Sequence, residues 1–172
     1  GIGGVEMFLE PGDNGDPDIG LAPVDPDCFF YDPRSFRPDF SDARYMGVAK
    51  WVDVDLAKEM FPDSAEALDS TVAQSGETAG LQQQDRELRW VDQTDRRVFI
   101  IEHWYIVGSV WQYCFYTGAI ELSRGSSPFV DEKGMTMCRF VMYSANVDHD
   151  GDRYGFVRNM KSAQDEINAR RS

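Results

Sequence analysis

The sequence predicts an α+β fold: mostly antiparallel strands in a meander, a short helical pair after the first strands, and a long C-terminal helix. Three observations carry this. Val98 to Val107 and Val110 to Tyr116 are rich in β-branched and aromatic residues and are parted only by Gly108-Ser109. Between Asp53 and Val72 two short segments carry helix start and stop signals. Near the end, Phe156, Met160, Ala163 and Ile167 recur at spacings of four, three and four, one narrow apolar stripe along a helix. Strands grouped apart from helices, rather than alternating with them, argue α+β.

In chain order, residues 4–9 read as a strand, Pro11 to Pro17 as a turn by composition, and Ile19 to Val24 as its antiparallel return. Cys28 to Tyr31 is extended, and two prolines keep Asp32 to Asp42 an extended loop. Tyr45 to Val52 is a further strand. Asp53 or Asp55 can cap a helix that runs to Phe61, where Pro62 ends it. Asp63 with Glu66 resembles a capping box for a second helix to about Val72. Gln74 to Gln84 lacks periodicity and reads as a mobile surface loop. Gly at the first of two turn residues predicts a type II′ hairpin at Gly108-Ser109. Thr117-Gly118 turns the chain into Ala119 to Leu122, Thr136 to Ser144 reads as one long strand, and Val147 to Asp152 as a turn into the final helix.

A length of 172 residues fits a single domain with a real core, and eleven Phe, seven Tyr and four Trp argue against disorder. The net charge of −13 disfavours a general nucleic-acid-binding surface, which needs Lys and Arg to displace counterions; it also serves solubility. Cys28, Cys114 and Cys138 lie far apart without a CxxC pair, which fits buried thiols in a reducing compartment. With only His103 and His149 to join them, no zinc site is expected. No apolar run approaches the roughly 20 residues of a membrane helix, so no membrane partner is expected.

Counting back from Gly108-Ser109 places His103 opposite Cys114, the proximity that thiolate activation requires. No carboxylate shares that face to orient the imidazole, because Glu102 points to the other side. A small cytosolic enzyme built on this pair therefore stands as an alternative to ordinary sheet packing. Another alternative is a ligand-binding module lined by Trp104, Trp111, Tyr113 and Phe115; rings of this size more commonly fill cores. Asp148, Asp150 and Asp152 have the spacing of a calcium loop, but Arg153 stands where glycine belongs and Asn159 where the bidentate Glu belongs. The acidic group Asp13, Asp16 and Asp18 is weaker still. Phosphate loops, nucleophile elbows and zinc helices are missing, and no cofactor or metal is expected. On the last helix Arg158, Lys161, Arg170 and Arg171 concentrate positive charge. Polar flanks beside a thin apolar seam describe either a solvated face or a helix that touches neighbours on several sides.

Two stretches together resemble the portal proteins of short-tailed, double-stranded-DNA bacteriophages. One is Asp32-Pro-Arg-Ser35 followed by Ser41 to Pro62; the other is Tyr154-Gly155 followed by Val157 to Ser172. Glu102-His-Trp-Tyr105 and Ser127-Pro-Phe129 lie where that family has similar patterns, so the resemblance covers nearly the whole chain. It implies an interior piece of a longer chain: a single wing-like α/β domain over residues 1–172, with 156–172 starting a stem-type helix. Gly1, which is not an initiator, and the missing stop signal after Ile167 agree with that expectation. The resemblance further implies a dodecameric ring at one capsid vertex, through which DNA is packaged and ejected without sequence-specific binding. Its partners would be further copies of itself, the terminase motor, and capsid and tail proteins. It would assemble in the host cytoplasm, from a phage or prophage gene, and reside in the virion. Arg158, Lys161, Gln164, Asn168, Arg170 and Arg171 would then lie at subunit contacts or near the channel. The family supplies no catalytic residues. Acidity would suit a channel wall on which DNA slides.

Overall fold

The computed structural model describes residues 1–12, 15–78, 90–118 and 120–171. Strand (45%) outweighs helix (23%) and pairing is mostly antiparallel, so the fold is α+β, as the sequence predicts. In order the elements are β1 (Ile2–Pro11), β2 (Pro17–Pro23), β3 (Phe29–Tyr31), β4 (Tyr45–Asp53), α1 (Val54–Met60), α2 (Ala65–Thr78), β5 (Val91–Asp92) and β6 (Arg97–Val107). There follow β7 (Val110–Thr117), β8 (Ile120–Ser126), β9 (Phe140–Ser144), β10 (Asn146–Val147), β11 (Arg153–Tyr154) and α3 (Phe156–Arg171). The chain divides into two compact units, residues 1–46 with 138–172, and residues 47–137.

In the first unit β1 is the centre of a three-stranded antiparallel sheet in the order β2-β1-β9. Met7 pairs with Leu21 and Leu9 with Ile19 on one side, and Val5 with Val141 and Gly3 with Tyr143 on the other. Phe140, Met142 and Ser144 point inward and are buried. They meet an aromatic group in which Phe29 lies 5.7 Å from Phe40 and 6.0 Å from Phe140. Just after β3, Asp32 N donates to Tyr45 O (3.0 Å) at the start of β4. Phe40, 1% exposed, sits at φ +56°, a left-handed conformation that a bulky side chain adopts only when its surroundings force it.

The second unit is built on the sheet β4-β6-β7-β8, with β5 along β6. Gly108 has φ +65° while Ser109 stays at negative φ, the combination that separates a type II′ from a type I′ turn. The two-residue turn fixes the register, and His103 lies opposite Cys114 as the sequence predicts. The core holds Val52, Val54, Ala57, Phe61, Leu68, Val98, Ile100 and Leu122, where α1 and α2 cover the sheet. Pro62 stops α1, as expected, and opens a 3-10 turn over Pro62–Ser64. Asp53 occupies the N-cap position of α1 but makes no side-chain capping bond.

Two expectations are corrected. Gln74 to Thr78 belong to α2 rather than to the loop expected there; residues 79–84 lie outside the described residues. Leu68 and Val72 hold that helix on the core, and a single Gly76 costs only about 1 kcal/mol, too little to end it. The long strand expected over Thr136 to Ser144 is confined to Phe140–Ser144. Its first residues bond locally instead: Thr136 bridges Val130, Thr136 Oγ1 accepts from Trp111 N (2.8 Å), and Met137 N donates to Phe129 O (2.9 Å). Ala119 and Asp13, both named above, lie outside the described residues.

Candidate functional site

Where α3 begins, the first unit is tied together by one guanidinium. Arg153 Nη1 donates to Arg37 O (3.0 Å) and Ser144 Oγ (2.6 Å), and Nη2 donates to Ser35 O (3.0 Å) and Ser35 Oγ (2.8 Å). Its flat face lies 3.8 Å from the centre of the Phe40 ring and 5.1 Å from that of Tyr31. The loop it grips is braced by carboxylates. Asp32 Oδ1 accepts from Arg34 N (2.9 Å), and Asp42 accepts from Ser35 Oγ (2.6 Å) and Phe36 N (2.8 Å). Sequence reading missed Arg153, since nothing local marks a side chain whose partners Ser35 and Arg37 precede it by more than a hundred positions.

Partial burial alone would raise the Asp42 pKa, but hydrogen bonds from Ser35 and from the Phe36 and Arg37 N–H groups outweigh it and hold the carboxyl below its ordinary 3.8. A folded-state pKa below the unfolded one stabilises at pH above the unfolded value and is lost as pH falls through the folded one. Asp42→Asn should therefore cost stability at neutral pH, and that cost should shrink below about pH 4. Urea midpoints of the two proteins measured from pH 7 to 2 would show it, and a difference independent of pH would refute it.

From this anchor α3 runs out with every described side chain exposed. Phe156 is 68% exposed, Met160 65% and Ile167 47%, so the apolar stripe predicted from the sequence exists and no described residue of the first unit covers it. At 100° per residue, Lys161, Gln164, Asn168 and Arg171 fall along one flank of the stripe, Arg170 along the other, and Arg158 on the far side. The six candidate residues thus share a helix but not a face. Gln164 Nε2 donates to Asn168 Oδ1 (3.0 Å), and Arg170 pairs with Glu166. Arg158 lies 3.6 Å from Asp148 Oδ2 and covers the Tyr154 ring at 4.7 Å. Lys161 has no ion pair among the described residues, and the Arg171 side chain lies outside them.

A second uncovered apolar surface lies on the outer face of β2-β1-β9. Leu9 (50%), Ile19 (55%), Leu21 (64%), Val141 (51%) and Tyr143 (60%) all point outward from it. An antiparallel sheet with one solvated face normally turns polar residues to water. The signal was available in the sequence: Met7-Phe8-Leu9 and Phe140-Val141-Met142-Tyr143 are apolar at consecutive positions, as in strands covered on both faces.

The sequence model of the family described as phage P22-like portal protein matches residues 1–109 and 106–172. The chain belongs to the phage P22-like portal protein family. No curated protein matches it. Its role is structural, as a portal component of a bacteriophage.

In this portal chain the His103–Cys114 pair lacks the electrostatics of a nucleophile. Burial pushes His103 down from its ordinary value, which favours the neutral ring. Burial pushes the Cys114 thiol up, and the nearby Glu121 carboxylate adds to the shift. Each partner is driven away from the thiolate–imidazolium state. The aromatic face of the hairpin is packed rather than open. Trp104 is 3% exposed, its Nε1 donates to Glu102 Oε1 (2.7 Å), and its ring lies 5.3 Å from Tyr113 and 6.4 Å from Phe129. At the calcium-like loop Asp148 Oδ1 accepts from Asp150 N (3.2 Å) and Asp152 N (2.9 Å), closing a turn between β10 and β11.

Proposed function

We propose that this portal chain supplies part of a dodecameric ring at one capsid vertex, through which phage DNA is packaged and ejected. Residues 1–172 serve as one wing-like α/β fragment, of which residues 156–172 are the start of a stem-type helix. The observation that carries this reading is the uncovered α3. Isolated helices of about 12–15 residues are marginal in water, and most helical stability comes from packing of an apolar face. A 16-residue helix with its stripe exposed is completed by neighbours. In a ring each subunit meets a different surface on either side, and polar flanks on both sides of the stripe suit that. Lys161, Gln164, Asn168 and Arg171 serve one contact or the channel side, and Arg170 the other.

The terminase motor, capsid and tail are the partners this reading implies, with assembly in the host cytoplasm and residence in the virion. DNA would pass without sequence-specific contact, past a wall whose carboxylates repel phosphate. Four cations against two carboxylates on α3 place the acidity of the chain elsewhere than on this helix. The test is Ile167→Asp in the full-length portal chain. Ile167 is exposed, so circular dichroism of the variant should be unchanged, whereas electron microscopy should show the closed rings of the wild type replaced by single subunits. Rings that form at the wild-type yield would remove α3 from the subunit contacts.

A further inference from the structure

One residue, Gly155, separates β11 from α3. We propose that it is a hinge on which α3 turns relative to the sheet β2-β1-β9, and that Arg158 closed on Asp148 is the strap that sets the direction of the helix. The inference goes beyond the ring reading above and does not depend on it, because it concerns a single copy.

Neither space nor conformation requires glycine at position 155. A Cβ there would come no closer than 3.5 Å to a heavy atom beyond its chain neighbours, the nearest being the Gly1 nitrogen. Its φ lies outside the left-handed region that favours glycine, unlike those of Gly108, Gly134 and Gly151. Backbone freedom is the use that remains. Beyond the hinge every described side chain of α3 is exposed, so no buried side chain pins the helix.

Before the hinge the chain is held firmly. Arg153 clamps β11 to the loop at Ser35 and Arg37, and a Cβ on Gly151 would meet the Phe36 ring at 3.3 Å, so the β10–β11 turn lies flush against the same loop. Asp148 sits in that turn and uses both carboxylate oxygens. Oδ1 accepts from Asp150 N (3.2 Å) and Asp152 N (2.9 Å), which orients the group, and Oδ2 is left for Arg158 Nη1 at 3.6 Å. The same guanidinium lies 4.7 Å from the centre of the Tyr154 ring, on the fixed side of the hinge. Arg158 is on the side of α3 away from Phe156, Met160 and Ile167, so the strap takes the helix by its back and leaves the stripe open. Arg158 is 59% exposed and Asp148 24%. An exposed ion pair or an exposed cation–π contact each biases an equilibrium by no more than about fivefold. Together they favour one direction of α3 by about tenfold, a preference that a contact favouring another direction overrules.

Distances within one copy of the full-length portal chain test this. Spin labels are placed at Leu21 and Ile167, both exposed, through a non-natural amino acid, so that Cys28, Cys114 and Cys138 stay unlabelled. Labelled copies are diluted with an excess of unlabelled ones, and pulsed electron resonance then reads the distance from the sheet to a point about 18 Å beyond the hinge. At low salt the wild type should give one narrow distribution. Arg158→Ala should about double its width while circular dichroism and melting temperature stay unchanged, because the side chain is exposed. High salt should broaden the wild type and leave the variant as it is, which loss of a packing contact would not do. Gly155→Ala added to Arg158→Ala should narrow the distribution again, since alanine has room there and fewer backbone states to visit. A distribution that neither Arg158→Ala nor salt alters would show that another contact sets the direction of α3. One that Gly155→Ala leaves broad would put the pivot elsewhere. Either result overturns the proposal.

Discussion

Arg153→Ala is expected to destabilise the first unit by about 4 kcal/mol and to lower its melting temperature by roughly 20 °C. The guanidinium meets four acceptors, the carbonyls of Ser35 and Arg37 and the hydroxyls of Ser35 and Ser144. Ser35 and Ser144 are fully buried, so water cannot readily replace the lost donors. Hydrogen bonds to a charged group contribute roughly 1.5–3 kcal/mol each, and because the four act as a unit they do not add. Loss of stacking on Phe40 also frees the side chain whose packing holds its backbone at φ +56°. Arg153→Lys should recover less than half of the loss, because a point-like ammonium neither forks to two pairs of acceptors nor stacks. Chemical denaturation followed by tyrosine and tryptophan fluorescence measures all three proteins. Full recovery by lysine would show that charge alone mattered, and an alanine cost below about 1 kcal/mol would show that water replaces the arginine.

The sequence made legible whatever short-range rules determine. A two-residue turn at Gly108-Ser109 dictates register along its whole hairpin, so the pairing of His103 with Cys114 follows from counting residues outward from the turn. The spacing of Phe156, Met160 and Ile167 revealed α3 because one face of a helix recurs every three or four residues. Nonlocal pairing was not legible. That β1 takes β9 as its second neighbour, joining Ile2 to Ser144, follows from no local pattern, and the outer apolar face is defined only once that pairing exists. Arg153 failed for the same reason: its role depends on a loop held far back in the chain. The overrun of α2 past Val72 shows the opposite error, in which glycine and glutamine were given more weight than the helix already docked at Leu68. Of the candidate site, the helix could be read and its place of rest could not. Periodicity speaks only of the element itself and not of what covers its stripe.

In the second unit the largest effect is expected from Leu68→Ala, a loss of about 3 kcal/mol. Leu68 is completely buried, among Val54, Ala57, Val98 and Ile100, and it is the one described residue of α2 that is so. The rest of the helix is held by weaker means: Val72 at the edge of the core, and the ion pair of Lys58 with Asp69, whose exposed carboxylate makes it worth little. Removing the leucine should thus do more than open a cavity. It should undock α2, since an isolated helix of about 14 residues is marginal in water. The signature would be a loss of far-UV helical signal at temperatures where the sheet still holds, together with faster amide exchange over residues 65–73 than over β6 and β7. Leu68→Met, which conserves volume, should cost less than about 1.5 kcal/mol and keep both signals. Should alanine lower stability with exchange in α2 unchanged, the helix would be held by something other than this side chain, and the view of Leu68 as its single deep anchor would fall.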